Sequence, residues 1–170
     1  NDLICLSGDL GAAYMGLHLL EREKRACGGQ PDPKPKFEGH EYILGRQLKP
    51  EARTDIIERL AEAGIVPTSM IDITDGLASE TLHLCKSSGC GARIYLDRLP
   101  IARQTHDMAE ELHADPVVAA LNGGQDYELL FTVPLSKQQE IFALGVDVIG
   151  HVTAAGTGAM LVTPDGSEIA

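Results

Sequence analysis

The segment Tyr127–Val133, YELLFTV, constrains the fold more than any other stretch of the chain. It is rich in aromatic and aliphatic residues, too short for a core helix, and entered through the Gly123-Gly124 pair that marks a tight turn. It reads as the strongest strand. Shorter strand signals stand at Leu3–Leu6, Ser69–Ile73, 92–96, 147–153 and 159–163. Between them the apolar spacing becomes helical. Leu10, Ala13, Tyr14, Leu17 and Leu20 form one face of a helix that stops at Gly28-Gly29. A short helix is expected over Glu41–Gln47. Pro50 suits the first turn of the next, which runs to Ala63 and ends at Gly64. Further helices are expected over Asp75–Lys86, over most of 97–124 with a break near Asp115-Pro116, and over 136–144. The proline-rich stretch 28–39 is a loop. Strands and helices alternate loosely, and the C-terminal part becomes strand-rich. The pattern predicts an α+β domain, a mixed sheet packed with helices, rather than a doubly wound parallel fold.

The balance of charge narrows the function. The 170 residues carry a net charge of −11. Such a field repels a phosphate backbone unless cations cluster. The densest basic run, EREKRACGG, has Glu21 and Glu23 among its cations, so no nucleic-acid footprint is read. An acidic chain still binds a phosphorylated small molecule when a divalent metal bridges the charges. Cys5, Cys27, Cys85 and Cys90 form no pair of C-x-x-C motifs, which argues against zinc. Cys5 and Cys85 fall in apolar patterns and are expected to be buried thiols. Neither a signal peptide nor a long apolar run is found, so no membrane association is expected and the cytoplasm is the default location. A chain that opens on a strand at Leu3 suggests a piece of something longer.

Three polar stretches carry chemistry. In MIDITDGLASET, with Ile71 and Ile73 inward, alternation puts Asp72 and Thr74 on the other side, and Asp75 falls at a helix N-terminus. Free N–H groups there favour an anion, and paired carboxylates suit Mg²⁺. Taken alone, the stretch fits a helix cap by Thr74 or Asp75 at least as well. In ALNGGQDYELLF, two glycines permit close backbone approach to a ligand, with Gln125 and Asp126 at the crown. By composition it equally fits a loop entering a strand, with Glu128 exposed on an edge. In LSGDLGAA, Gly8, Asp9 and Gly11 read as a strand-to-helix turn with a cap. No Gly-rich nucleotide fingerprint, no H-x-x-x-H helix pair and no G-x-S-x-G elbow is present.

In combination, MIDITDGLASET, SGCGARIYLDRLPI and ALNGGQDYELLFTVP resemble the thiamine-monophosphate kinases, of the aminoimidazole-ribonucleotide-synthetase-like superfamily. The opening NDLICLSGDLGAAYMGLHLL resembles the start of that enzyme's second half. The resemblance spans nearly the whole chain in the same order. It implies that residues 1–170 are a single C-terminal domain of a longer enzyme whose N-terminal ATP- and metal-binding domain is absent here. It implies ATP as co-substrate, Mg²⁺, thiamine monophosphate as acceptor, and a homodimer for the full-length protein. Asp72 and Asp75 fall on family metal ligands, and Thr74 on an ATP-contacting position. Gln125 falls where the family commonly has a Glu that contacts the thiamine moiety. No catalytic side chain is expected, because an anionic phosphate acceptor needs no general base. The competing expectations are another ATP-dependent synthetase of the superfamily, or a non-catalytic dimerisation or regulatory domain.

Overall fold

The computed structural model describes residues 1–170. Seven strands form one sheet: β1 (Leu3–Leu6), β2 (Ser69–Asp72), β3 (Gly91–Tyr95), β4 (Leu129–Val133), β5 (Asp147–Thr153), β6 (Ala159–Val162) and β7 (Glu168–Ile169). Their order is β2-β4-β1-β5-β3-β6-β7. Every neighbouring pair is antiparallel except β3 and β6. Seven helices surround it: α1 (Ala12–Cys27), α2 (Glu41–Leu48), α3 (Thr54–Glu62), α4 (Leu77–Ser88), α5 (Arg103–Glu111), α6 (Pro116–Asn122) and α7 (Gln138–Ala143). The fold is the α+β mixed sheet that the sequence pattern predicts.

The position of β1 explains its unbroken apolar sequence. It lies between β4 and β5, and both of its faces are covered. Ile4 and Leu6 join Leu130, Ile94 and Ile149 beneath Leu77 of α4 and Leu121 of α6. Leu3 and Cys5 join Phe131 and Val133 beneath Ile56 and Leu60 of α3 and Ile141 of α7. With a period of two, a strand buried on both faces has no position for a polar residue. A third cluster holds α1, α2, α5 and α6 together through Met15, Leu19, Ile43, Met108 and Ala119.

Several boundaries differ from the sequence expectation, each for a physical reason. Pro50 does not open a helix; α3 begins at Thr54, because Arg53, its N-cap, is drawn away to the Ser7 carbonyl and Glu128. Helix α1 begins at Ala12 rather than Leu10, since Gly11 adopts a φ of 89° and sets the start. Tyr127 and Glu128 stand outside β4, because Gln125 and Tyr127 have φ values of 60° and 53° and interrupt extended geometry. Glu128 is buried beside a central strand, not exposed on an edge. The helical expectation over 97–124 resolves into a 3₁₀ turn at Leu96–Arg98 followed by α5 and α6. Cys85 is half-buried rather than enclosed.

Candidate functional site

The stretch from Ile71 to Gly76 leaves the sheet and starts α4. Ile73 is fully buried and Asp72 exposed, as the alternation requires, and Asp75 is exposed in the turn that leads into α4. Neither Thr74 nor Asp75 caps the helix. The N-cap is Gly76, with a φ of 123° and no side-chain cap. A Cβ at Gly76 would stand 2.6 Å from the Leu121 carbonyl oxygen, so only glycine fits where the loop crosses the end of α6. Glu80, one turn into α4, reaches back instead. Its Oε1 accepts the Asp75 N–H at 2.9 Å, the Thr74 N–H at 3.4 Å and the Thr74 hydroxyl at 3.2 Å. A buried glutamate thus takes the amides of the two residues that precede the N-cap. The Asp72 and Asp75 carboxylates have no hydrogen-bond or ion-pair partner in the chain and are left facing solvent.

The glycine-rich loop 122–128 closes against this stretch. Gln125 N–H donates to the Thr74 carbonyl at 2.7 Å, and Gln125 Nε2 approaches the same oxygen at 3.3 Å. Tyr127 N–H donates to Ile73 at 2.9 Å, and Ile73 N–H to Glu128 at 2.8 Å. At Gly124 a Cβ would lie 2.4 Å from the Thr74 oxygen, so the two backbones touch there. Two predicted candidates distant in sequence, Thr74 and Gln125, are thus joined by one main-chain bond and one from the Gln125 side chain. The Gln125 side chain is exposed and accepts the Tyr127 hydroxyl at 2.9 Å. Gln125 and Tyr127 both hold left-handed backbone, which costs about 1–3 kcal/mol per residue and persists only where surrounding bonds enforce it. The effect is to turn Gln125 outward and Asp126 and Glu128 inward.

That inward pair anchors the loop. The Asp126 carboxylate accepts the Gly11 N–H at 3.1 and 3.2 Å, serving the start of α1 from across the sequence, and Arg46 stands 3.6 Å away. Burial outweighs these partners and pushes the Asp126 carboxyl up to about 6. Glu128 receives Arg53 Nη1 at 2.6 Å, Arg46 at 3.3 Å and the Ser7 hydroxyl. Arg46 also binds Asp9 at 3.1 Å, beside Tyr42, whose hydroxyl donates to Asp9. Asp9, Tyr42, Arg46, Arg53, Asp126 and Glu128 line a polar cleft of about 450 Å³. Sequence reading missed Arg46 and Arg53 and reduced Asp9 to a turn residue. The only signal available was the presence of buried-type positions for Asp126 and Glu128, which demand cationic partners from somewhere.

The donor set suits a hard divalent cation in part. Asp72 and Asp75 offer unpaired carboxylate oxygens three residues apart, the type that Mg²⁺ takes while keeping several waters. No group of three or more His, Cys, Asp and Glu side chains converges anywhere in the chain, so these two supply at most part of a ligand set.

A mixed-sheet α+β domain that projects two free aspartates and a strained glycine-rich loop from one sheet end is the class this geometry defines. The chain belongs to the family described as AIR synthase related protein, C-terminal domain, whose model matches residues 1–163. Among curated relatives, the thiamine-monophosphate kinase of Escherichia coli strain K12 is 34% identical over 177 residues, covering 99% of this chain and 49% of that protein. The Aquifex aeolicus thiamine-monophosphate kinase is 33% identical over 137 residues, 80% of this chain and 40% of its own length. Of solved structures, AaThiL complexed with AMPPCP and TMP superposes with a TM-score of 0.77 at 31% identity, over 99% of this chain and 49% of that one. The chain thus spans about half the length, or less, of the curated relatives it matches.

Proposed function

We propose that this chain is the C-terminal domain of a thiamine-monophosphate kinase that transfers the γ-phosphoryl group of ATP directly to thiamine monophosphate, giving thiamine diphosphate. The observation that carries this reading is the main-chain junction of Thr74 with Gln125, which sets the free aspartates beside an outward-facing amide. Similarity to relatives named for that activity supports it. The acceptor is a phosphate monoester whose second pKa near 6 leaves it largely dianionic at neutral pH. It is already a nucleophile and needs no general base to activate it. The difficulty is bringing two polyanions together, so positioning and charge neutralisation dominate. Mg²⁺ bound at the aspartates would supply that neutralisation. Asp72 and Asp75 would hold it from the strand end and the helix start. Thr74, its hydroxyl oriented by Glu80, would contact ATP. Gln125 would meet the thiamine moiety. The remaining metal ligands would come from an N-terminal domain, and the full-length protein would be a homodimer of the cytoplasm. No helix of this chain is long and apolar enough to cross a membrane.

The test uses the full-length protein. ADP formation should require both thiamine monophosphate and a divalent cation. Asp72→Asn and Asp75→Asn should each lower kcat by on the order of 100-fold, as loss of one charge-stabilising group does. ADP release only with a different acceptor points to another synthetase of the family. Normal turnover by both variants would point to a domain that does not touch the reacting groups.

A further inference from the structure

Two thiols that the proposed chemistry does not use are brought together at the far end of α4. The helix ends in a Schellman arrangement. Gly89 adopts φ 62° and ψ 38°, and the N–H groups of Gly89 and Cys90 both turn back to the Cys85 carbonyl, the latter at 3.1 Å. This closure commonly brings the side chain after the glycine onto the one five residues earlier, and here both are cysteines. Both line one cleft of about 270 Å³ between α4 and the sheet, and both are only half-buried. The other two thiols are differently placed. Cys5 is fully enclosed, with its thiol pushed up to about 12 by burial, and Cys27 ends α1 in a separate part of the fold.

We propose that Cys85 and Cys90 are a dithiol that closes to a reversible intramolecular disulfide when the protein meets a hydroperoxide. Burial, with the neighbouring Cys90 thiol, pushes the Cys85 thiol up to about 11, which disfavours its thiolate, so Cys90 is assigned as the attacking thiol. The Cys90 thiolate attacks the peroxide O–O bond and takes one oxygen as a sulfenic acid. The other oxygen leaves as an alcohol or water after protonation. The Cys85 sulfur then attacks the Cys90 sulfur and displaces the sulfenic hydroxyl as water, the Cys85 proton going with the leaving group. Sulfur is oxidised by two electrons in all and the peroxide is reduced by two. Dithiothreitol reverses the reaction by exchange. The bond would tie the last turn of α4 to the residue that precedes β3, at the opposite end of the helix from Thr74 and Asp75.

Lys86 lies between the two cysteines, which makes the bond directly readable. The folded chain is treated with hydrogen peroxide at neutral pH, remaining thiols are alkylated, and the product is digested with trypsin. The expected result is that the fragment ending at Lys86 and the fragment starting at Ser87 stay joined until reduction and separate afterwards. Cys90→Ser should abolish the linkage, and Cys85→Ser should leave Cys90 as a trappable sulfenic acid. Stable oxygen adducts on wild-type Cys90 without cross-linking would overturn the proposal. So would linkage between chains, or prior reaction of Cys27. Circular dichroism of both variants separates a lost bond from a lost fold.

Discussion

At the scale of single residues, Gln125 and Asp126 show how adjacent positions are given opposite tasks. The left-handed φ of Gln125 sends its amide to solvent and the next carboxylate inward. If Gln125 meets a cationic thiamine ring, restoring a charge should tighten that contact. In the full-length protein, Gln125→Glu should lower the KM for thiamine monophosphate by up to about five-fold, the range of an exposed ion pair, with kcat little changed. An unchanged or raised KM would remove Gln125 from the substrate contact. Asp126 makes a different prediction. Its folded pKa of about 6 lies above the unfolded carboxylate value, so the native state binds more protons between about pH 4 and pH 6. Its contribution to stability is therefore most favourable below about pH 4, declines as pH rises through 6, and is level above. In urea titrations, the stability difference between wild type and Asp126→Asn should shift against wild type by roughly 2–3 kcal/mol from pH 4 to pH 7. A difference independent of pH would contradict the buried, weakly compensated carboxylate.

At the scale of elements, the start of α4 depends on a side chain inside the helix rather than before it. Glu80 collects two amides and the Thr74 hydroxyl, so Glu80→Ala should cost about 1.5–3 kcal/mol in chemical denaturation, and Glu80→Gln less. A loss within experimental error for Glu80→Ala would mean that water serves those amides equally well. This element also marks where sequence reading succeeded and where it stopped. The alternation of Ile71, Asp72 and Ile73 disclosed the direction of each side chain, because strand period is local. The helix starts later than a cap by Thr74 or Asp75 requires, because the Thr74 hydroxyl is spent on Glu80 and Gly76 takes the N-cap position. Arg46 and Arg53 were invisible for a stronger reason. Their partners Asp126 and Glu128 lie about 80 residues away, and nothing in helical or strand periodicity encodes such a pairing. The strand YELLFTV was recognised, yet its first two residues were claimed by the site loop. There, left-handed backbone overrode the apolar pattern.

At the scale of the whole molecule, the sheet carries its own core on both faces, and three clusters bury aliphatic side chains around it. This chain, expressed alone, should therefore unfold cooperatively in urea. It should show no ADP formation from ATP and thiamine monophosphate, because Asp72 and Asp75 are at most part of a metal-ligand set. Robust turnover by the isolated chain would refute the dependence on a second domain. A cooperative transition would also count against reading the chain as a mere appendage.

The central place of β1 bears on how the chain comes into being. Within this domain, β1 is made before either of the strands that flank it, β4 and β5. Ser7 waits for Glu128, 121 residues downstream. At ribosomal speeds of about 5–20 residues per second, that interval is roughly 6–24 seconds. Throughout it β1 lacks both strands that flank it, although Leu77, Ile94, Ile56 and Leu60 of its two core clusters are made in the meantime, and the polar cleft around Asp126 and Glu128 cannot exist. Within the domain, β1 thus stays unpaired until β4 is made, and the loop pair at Thr74 and Gln125 is assembled only after most of the domain has been synthesised.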